Sequence, residues 1–219
     1  MKPIILGASD PDYCLIQAVD DHDAGLLENE YAYITEHCSE KRILLAAFHV
    51  DDWNTDLSPW EAPAVFGNEG FGAGAKATLD YVLEELLPMI QEAYQVDPSK
   101  VKYIMGGYSL AGLFALWASY QTDRFDACVA ASPSVWFPEW IEYAEANEIQ
   151  TDTIYLSLGK KEEKTRNQTM ARVGDCIRRQ YELLENKTTT LEWNDGNHFR
   201  EPDVRTAKGF VWCVVKCGH

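Results

Sequence analysis

The sequence predicts an α/β fold: a three-layer α/β/α sandwich on a mostly parallel central sheet. Three observations carry this reading. Short apolar or β-branched runs alternate with longer segments whose apolar residues recur at helical spacing. One run, Ile43 to Val50 (ILLAAFHV), is apolar almost throughout, as expected of a strand covered on both faces. A third run, Val101 to Met105, passes through two glycines and a serine straight into a helical apolar pattern (GGYSLAGL). Such alternation builds a parallel sheet with helices on both sides.

In chain order, Pro3 to Leu6 and Tyr13 to Val19 read as strands around a GASDPD turn. Gly25 to Cys38 places Leu26, Leu27, Tyr31 and Ile34 on one helix face. After the buried run comes Asp51 to Ala75, rich in Gly, Pro and Trp and without a period, as in a functional or lid loop. Leu79, Val82, Leu83, Leu86, Leu87 and Ile90 trace the next helix, with a bend expected at Pro88. The strand Val101 to Met105 and the helix from Leu110 follow. Next come a strand at FDACVAAS, a loop at SPSVWFPEW and a strand at Thr153 to Gly159. Met170, Val173, Ile177, Tyr181 and Leu184 mark a helix, Thr188 to Trp193 a strand and NDGNHF a turn. A final helix, VRTAKGFVWCVV, has Asp203 as its expected N-cap. With no linker or repeat in view, residues 1–219 read as one domain.

The charge balance of 19 basic against 35 acidic residues, net −16, repels phosphate backbones and argues against nucleic acid as a partner. The same charge disfavours strongly anionic substrates. No apolar run is long enough to span a bilayer, and the opening residues lack the pattern of a signal peptide, so the expected address is cytoplasmic. The six cysteines include no C-x-x-C and read as reduced thiols, several of them buried. The five histidines show no ligand spacing, so neither a metal nor another cofactor is expected.

Ser109 poses the main question. It is either a polar residue opening a helix or a nucleophile raised on a strained strand-to-helix turn. Such a turn forces the serine to positive φ and demands small residues two before and two after it, because strand and helix backbones pass close together there. Gly107 and Ala111 satisfy that demand, and Gly112 relieves crowding one step on. The turn also aims the Leu110 N–H, at the helix N-terminus, toward a developing oxyanion. A dinucleotide loop is disfavoured, since GGYSLAG contains no G-x-G-x-x-G.

The partners of such a serine follow it in the order acid, then histidine. Of the two histidines after Ser109, His219 ends the sequence, while His198 lies between the last strand and the last helix, where the base belongs. The acid belongs after the preceding strand. There Glu162 stands three residues past Gly159, with Glu163 as the alternative and a solvated charge cluster (Lys160 to Lys164) as the competing reading. Asp195 reads as a turn residue. A second oxyanion N–H is expected where QAVDDHD ends an early strand, from Asp21 or His22, with the acidic side chains turned away.

With these segments in place, the sequence resembles the α/β-hydrolases, and among them the bacterial putative esterases related to esterase D and the siderophore (enterobactin-type) esterases. The resemblance rests on GGYSLAGLFALW, SLGKKEEKTRN, GNHFREPDVRTAKGF and DDWNTDLSPWEAPAVFG, and covers most of the chain. It implies metal-free serine hydrolysis of a small-molecule ester through an acyl-enzyme on Ser109, with His198 as base. It also implies a compact hydrolase fold without a large cap and without one or two opening strands. Many relatives have Gly where this chain has Ala111, and Asp-Gly where it has Asp20-Asp21. SPSVWF resembles the family's Ser-x-Ser-x-Trp segment and brings Ser134 and Trp136 toward the substrate. Trp53 and Trp136 both follow strand C-termini, the edge where open α/β sheets bind ligands, and are expected to wall an apolar acyl pocket. Acyl transfer by the same residues and a non-catalytic binding protein of this fold are the alternatives.

Overall fold

A computed structural model describes residues 3–218. Seven strands form one sheet: β1 (Ile4–Gly7), β2 (Tyr13–Val19), β3 (Ile43–His49), β4 (Lys102–Tyr108), β5 (Ala127–Ala131), β6 (Thr153–Gly159) and β7 (Thr188–Asn194). Their spatial order is β1-β3-β2-β4-β5-β6-β7. Edge strand β1 pairs antiparallel with β3, and all other pairings are parallel.

The alternation of side chains along each strand divides the core into two apolar layers. Cys14, Ile16 and Ala18 of β2 and Leu44, Ala46 and Phe48 of β3 face one layer. Tyr13, Leu15 and Val19, with Ile43, Leu45 and Ala47, face the other. Both faces are therefore dry, which is why these strands read as continuous apolar runs. Helices α2 (Leu27–His37) and α10 (Pro202–Cys217) cover the second layer through Leu27, Ile34, Phe210 and Cys213. The first is covered by α4 (Ala75–Tyr81), α5 (Leu87–Ala93), α6 (Ser109–Gln121), α7 (Trp140–Ala146) and α9 (Val173–Glu182).

Several elements depart from the sequence reading. The turn after β2 closes into a short helix, α1 (Asp21–Ala24), because the Asp20 side chain caps the Asp23 N–H at 2.8 Å. The long loop after β3 contains α3 (Trp53–Asp56), capped by Asp52, and a bridge between Ala62 and Phe71. The bend expected at Pro88 is preceded by a π turn over Val82–Leu86, in which the Leu87 N–H reaches the Val82 carbonyl. The SPSVWFPEW loop ends in α7, which the sequence reading missed. The helix marked by Met170 to Leu184 is broken into α8 (Gln168–Ala171), capped by Asn167, and α9.

Asp203 is not the N-cap of the last helix; Glu201 holds that position at φ 53°. Pro202 takes the first helical position, where its missing N–H costs nothing, and this shifts Asp203 into the first turn. All six cysteines are free thiols, five of them buried. Among the described residues no helix is long and apolar enough to cross a membrane.

Candidate active site

Ser109 sits where β4 becomes α6, at φ 57°, a conformation that non-glycine residues reach only under constraint. The constraint is close backbone approach. A Cβ on Gly107 would lie 2.7 Å from the Ala111 carbonyl carbon, and one on Gly112 would lie 3.0 Å from the Gly107 oxygen. The Ser134 N–H donates to the Ser109 carbonyl at 3.0 Å and ties the turn to the loop after β5. The two side-chain oxygens, Ser109 Oγ and Ser134 Oγ, are 3.5 Å apart, at the outer limit of a hydrogen bond.

The C-terminal ends of β6 and β7 bring the other two groups to this turn. His198 Nε2 lies 3.0 Å from Ser109 Oγ, and His198 Nδ1 lies 2.8 Å from Glu162 Oε2. An ionised carboxylate only accepts, so the bond to Glu162 places the ring proton on Nδ1 and leaves Nε2 free to accept from the serine hydroxyl. Glu162 opens a 3₁₀ turn (Glu162–Lys164) directly after β6 and is 8% exposed. Its other oxygen, Oε1, accepts from the Gly159 N–H at 2.7 Å, Ser132 Oγ at 2.8 Å and Arg205 Nη1 at 3.1 Å. Burial by itself pushes this carboxyl up, but the bonds from His198, Ser132 and Gly159 outweigh it and leave it below its ordinary value. Glu163, the alternative acid, instead pairs with Arg178 at 3.0 Å.

Three contributors to this cluster escaped the sequence reading. Arg205 is 2% exposed. Besides Glu162, it reaches the Tyr108 hydroxyl at 3.1 Å, Ser132 Oγ at 3.3 Å and, through Nη2, the Asp195 carbonyl at 2.9 Å. It thus ties the acid to the turn that carries His198. Tyr108 Oη donates to the His198 carbonyl at 2.7 Å, and burial pushes that phenol up to about 12, so it acts as a neutral donor. Ser132 is held at φ 44° just after β5. A signal for Arg205 was available: it is in line with Gly209 and Cys213 on the inward stripe of α10, and a cation there requires buried acceptors. Ser132 is the first serine of the Ser-x-Ser-x-Trp segment, which pointed to its neighbours Ser134 and Trp136; Tyr108 carries no comparable mark. Asp195 is exposed and pairs with Lys160 at 2.8 Å, as its turn reading implied.

On the opposite side of Ser109, β2 runs parallel to β4 and ends in Asp20 and α1. Asp20 caps the Asp23 N–H with its side chain and the Ala24 N–H with its carbonyl, and no helical acceptor precedes Asp21 and His22. The Asp21 carboxylate turns outward to His49 Nε2 at 3.0 Å. Leu110 lies in the first turn of α6, with its side chain buried.

Beside His198 opens a cavity of about 480 Å³, lined by Trp136, Met170, Val173, Phe199, Lys161 and Lys164 among others. Trp136 therefore stands where a pocket wall was expected. Trp53 does not line this cavity and packs against the core from α3. Behind Trp136, the rings of Phe71 and Phe66 meet it edge-on at 6.1 and 6.4 Å. No cluster of His, Cys, Asp or Glu among the described residues is arranged to hold a metal ion.

A family model described as "Putative esterase" matches residues 29–201. The chain belongs to this family. The esterase shares its fold with solved structures of low sequence identity. The siderophore hydrolase EstA from Aspergillus nidulans is 18% identical with a TM-score of 0.73, over 97% of this chain and 83% of that one. An IroE-like serine hydrolase from Shewanella oneidensis is 14% identical with a TM-score of 0.71, over 96% and 74%. The enterobactin esterase FES from Shigella flexneri is 16% identical with a TM-score of 0.71; the match takes in 99% of this esterase but 56% of FES. No curated protein matches the sequence. The fold is that of α/β-hydrolase-type esterases, and the family makes the protein a carboxylic-ester hydrolase.

Proposed function

We propose that the protein cleaves small-molecule carboxylic esters through an acyl-enzyme on Ser109, with His198 as base and Glu162 as the orienting acid. The observation that carries this reading is the unbroken chain Ser109 Oγ, His198 Nε2, His198 Nδ1, Glu162 Oε2, with its two contacts of 3.0 and 2.8 Å. In the first half-reaction Ser109 Oγ attacks the ester carbonyl while its proton passes to His198 Nε2. Glu162 keeps the ring in the accepting tautomer and stabilises the imidazolium. The Leu110 N–H, with that of Asp21 or His22, receives the oxyanion. His198 then gives its proton to the departing alcohol. A water molecule repeats the sequence at the acyl carbon and frees Ser109. One arm of the ester occupies the cavity beside His198, against Trp136.

A fluorophosphonate probe followed by peptide mapping tests the assignment. An adduct on Ser109 that disappears in His198→Ala is expected. Folded protein that forms no adduct on Ser109 would refute it. Ser109→Ala is expected to retain the wild-type Tm while kcat/KM on short p-nitrophenyl esters falls by at least about 10⁴-fold.

A further inference from the structure

The cavity beside His198 combines an apolar floor with an unbalanced positive charge. Met170, Val173 and Trp136 supply apolar surface, and the Phe199 ring, 87% exposed, stands at the opening. Lys161 and Lys164 also line it. Among the described residues neither lysine forms an ion pair, whereas six other lysines pair with carboxylates.

The nearby acids are already committed. Glu162, the one acid in the lining, is bonded to His198, Ser132, Gly159 and Arg205. Glu163 faces Arg178 at 3.0 Å, and Asp195 faces Lys160 at 2.8 Å while also feeling the more distant charge of Lys161. In a chain of net charge −16, two lysines without a direct ion-pair partner beside the candidate nucleophile are a local reversal of sign. Charges elsewhere on the surface are screened beyond about 8 Å at physiological salt, so these two add positive charge at the cavity that distant carboxylates do not cancel.

We infer that the ester cleaved here carries an apolar, ring-sized arm that ends in an anion, held by Lys161 and Lys164 above Met170, Val173 and Trp136. The inference rests on the esterase reading above. It reverses, within this cavity, the preference that the overall charge implies. The anion fills the place of the missing counter-ion, and the ring takes the apolar surface that no other side chain covers.

The test uses matched esters that differ only in charge. On the acyl side these are the phenyl esters of 4-carboxybenzoic acid and 4-carbamoylbenzoic acid; on the alcohol side, 4-acetoxybenzoate and 4-acetoxybenzamide. For at least one pair, kcat/KM is expected to favour the carboxylate about fivefold at low ionic strength. The preference should shrink as salt is added and fall to about one in Lys161→Ala/Lys164→Ala. Binding of 4-carbamoylbenzoate and terephthalamide to Ser109→Ala, read as a shift in Tm, separates this inference from the catalytic reading. If no ester is turned over but the anion still raises Tm more than the neutral diamide, the esterase reading fails and the anion site stands. Wild type that turns over both members of each pair without favouring the carboxylate, or a preference that survives in the double lysine variant, overturns the inference.

Discussion

On one side of Ser109, β6, β7 and α10 deliver Glu162, His198 and Arg205 into a cluster where the buried acid meets four donors. On the other side, Glu30 of α2 is slightly more buried, 5% exposed against 8% for Glu162, yet it meets a single amide, Gln17 Nε2, at 3.0 Å. Burial raises Glu30 to about 8, and neighbouring Asp23 and Asp203 add to the effect. Asp23 is likewise raised to about 6, by burial and then by Asp20. Glu162 ends below its ordinary value. Similar burial thus gives opposite shifts, because donors rather than depth decide which protonation state is favoured. The Glu162 side keeps a buried carboxylate charged, whereas on the Asp21 side the buried Glu30 favours its protonated form.

The largest effect expected from breaking this contrast is at Glu162. Glu162→Gln removes the acceptor that fixes the His198 tautomer, and kcat/KM should fall about 10⁴-fold, or about 5 kcal/mol, in steady-state assays. Glu163→Gln serves as the control and should change it less than about twofold, since that residue pairs outward with Arg178. An equal loss in both variants would return the choice of acid to an open question.

Arg205→Met tests what holds Glu162 in place. Leaving one member of a buried ion pair without its partner should destabilise the fold by about 3 kcal/mol, measured by urea unfolding. Arg205→Met/Glu162→Gln should recover part of that loss, because no buried charge is then stranded. A single variant as stable as wild type would show that Ser132 and Gly159 suffice.

The proposed oxyanion donors can be probed only through the backbone. Asp21→Pro deletes one N–H at a helix position that accepts proline, and Asp20 before it already has the extended backbone that proline requires. If the Asp21 N–H is the donor, kcat should fall about 10²- to 10³-fold, while Asp21→Ala stays near wild type. Equal activity of the two variants would shift the role to His22.

Glu30→Gln should have the smallest effect, and its sign depends on pH. Between the ordinary glutamate value of 4.5 and about 8, the unfolded chain has released this proton while the folded protein retains it. Wild-type stability therefore declines across that window as pH rises. The glutamine variant lacks this slope, so its gain in unfolding free energy, measured by urea unfolding, should grow from about pH 5 to about pH 8 and reach on the order of 1–3 kcal/mol. Glu162 contributes with the opposite sign: its stabilisation is present above 4.5 and is lost as pH falls through its lowered folded value. A gain for Glu30→Gln that is the same at every pH would refute the burial account of Glu30.

Much of this organisation could be read from residue order. The apolar runs of β2 and β3 announced a sheet covered on both faces, and Gly107, Ala111 and Gly112 announced the tight turn under Ser109, because small size and apolarity are properties of single residues. The order of Ser109, Glu162 and His198 along the chain likewise matched the order in which successive strands reach one sheet edge. Spacing from Gly159 favoured Glu162 over Glu163 without deciding between them, since adjacent residues differ chiefly in the direction in which the turn points them. That direction was decided by the 3₁₀ turn after β6, which sends Glu162 inward to His198 and Glu163 outward to Arg178. Tertiary structure alone also decided that Arg205 joins the cluster, that Trp136 rather than Trp53 walls the cavity, and that Lys161 and Lys164 are left without a direct ion-pair partner. Each of these depends on which residues distant in the chain become neighbours, and a carboxylate, an indole or an ammonium acquires its energy from those neighbours.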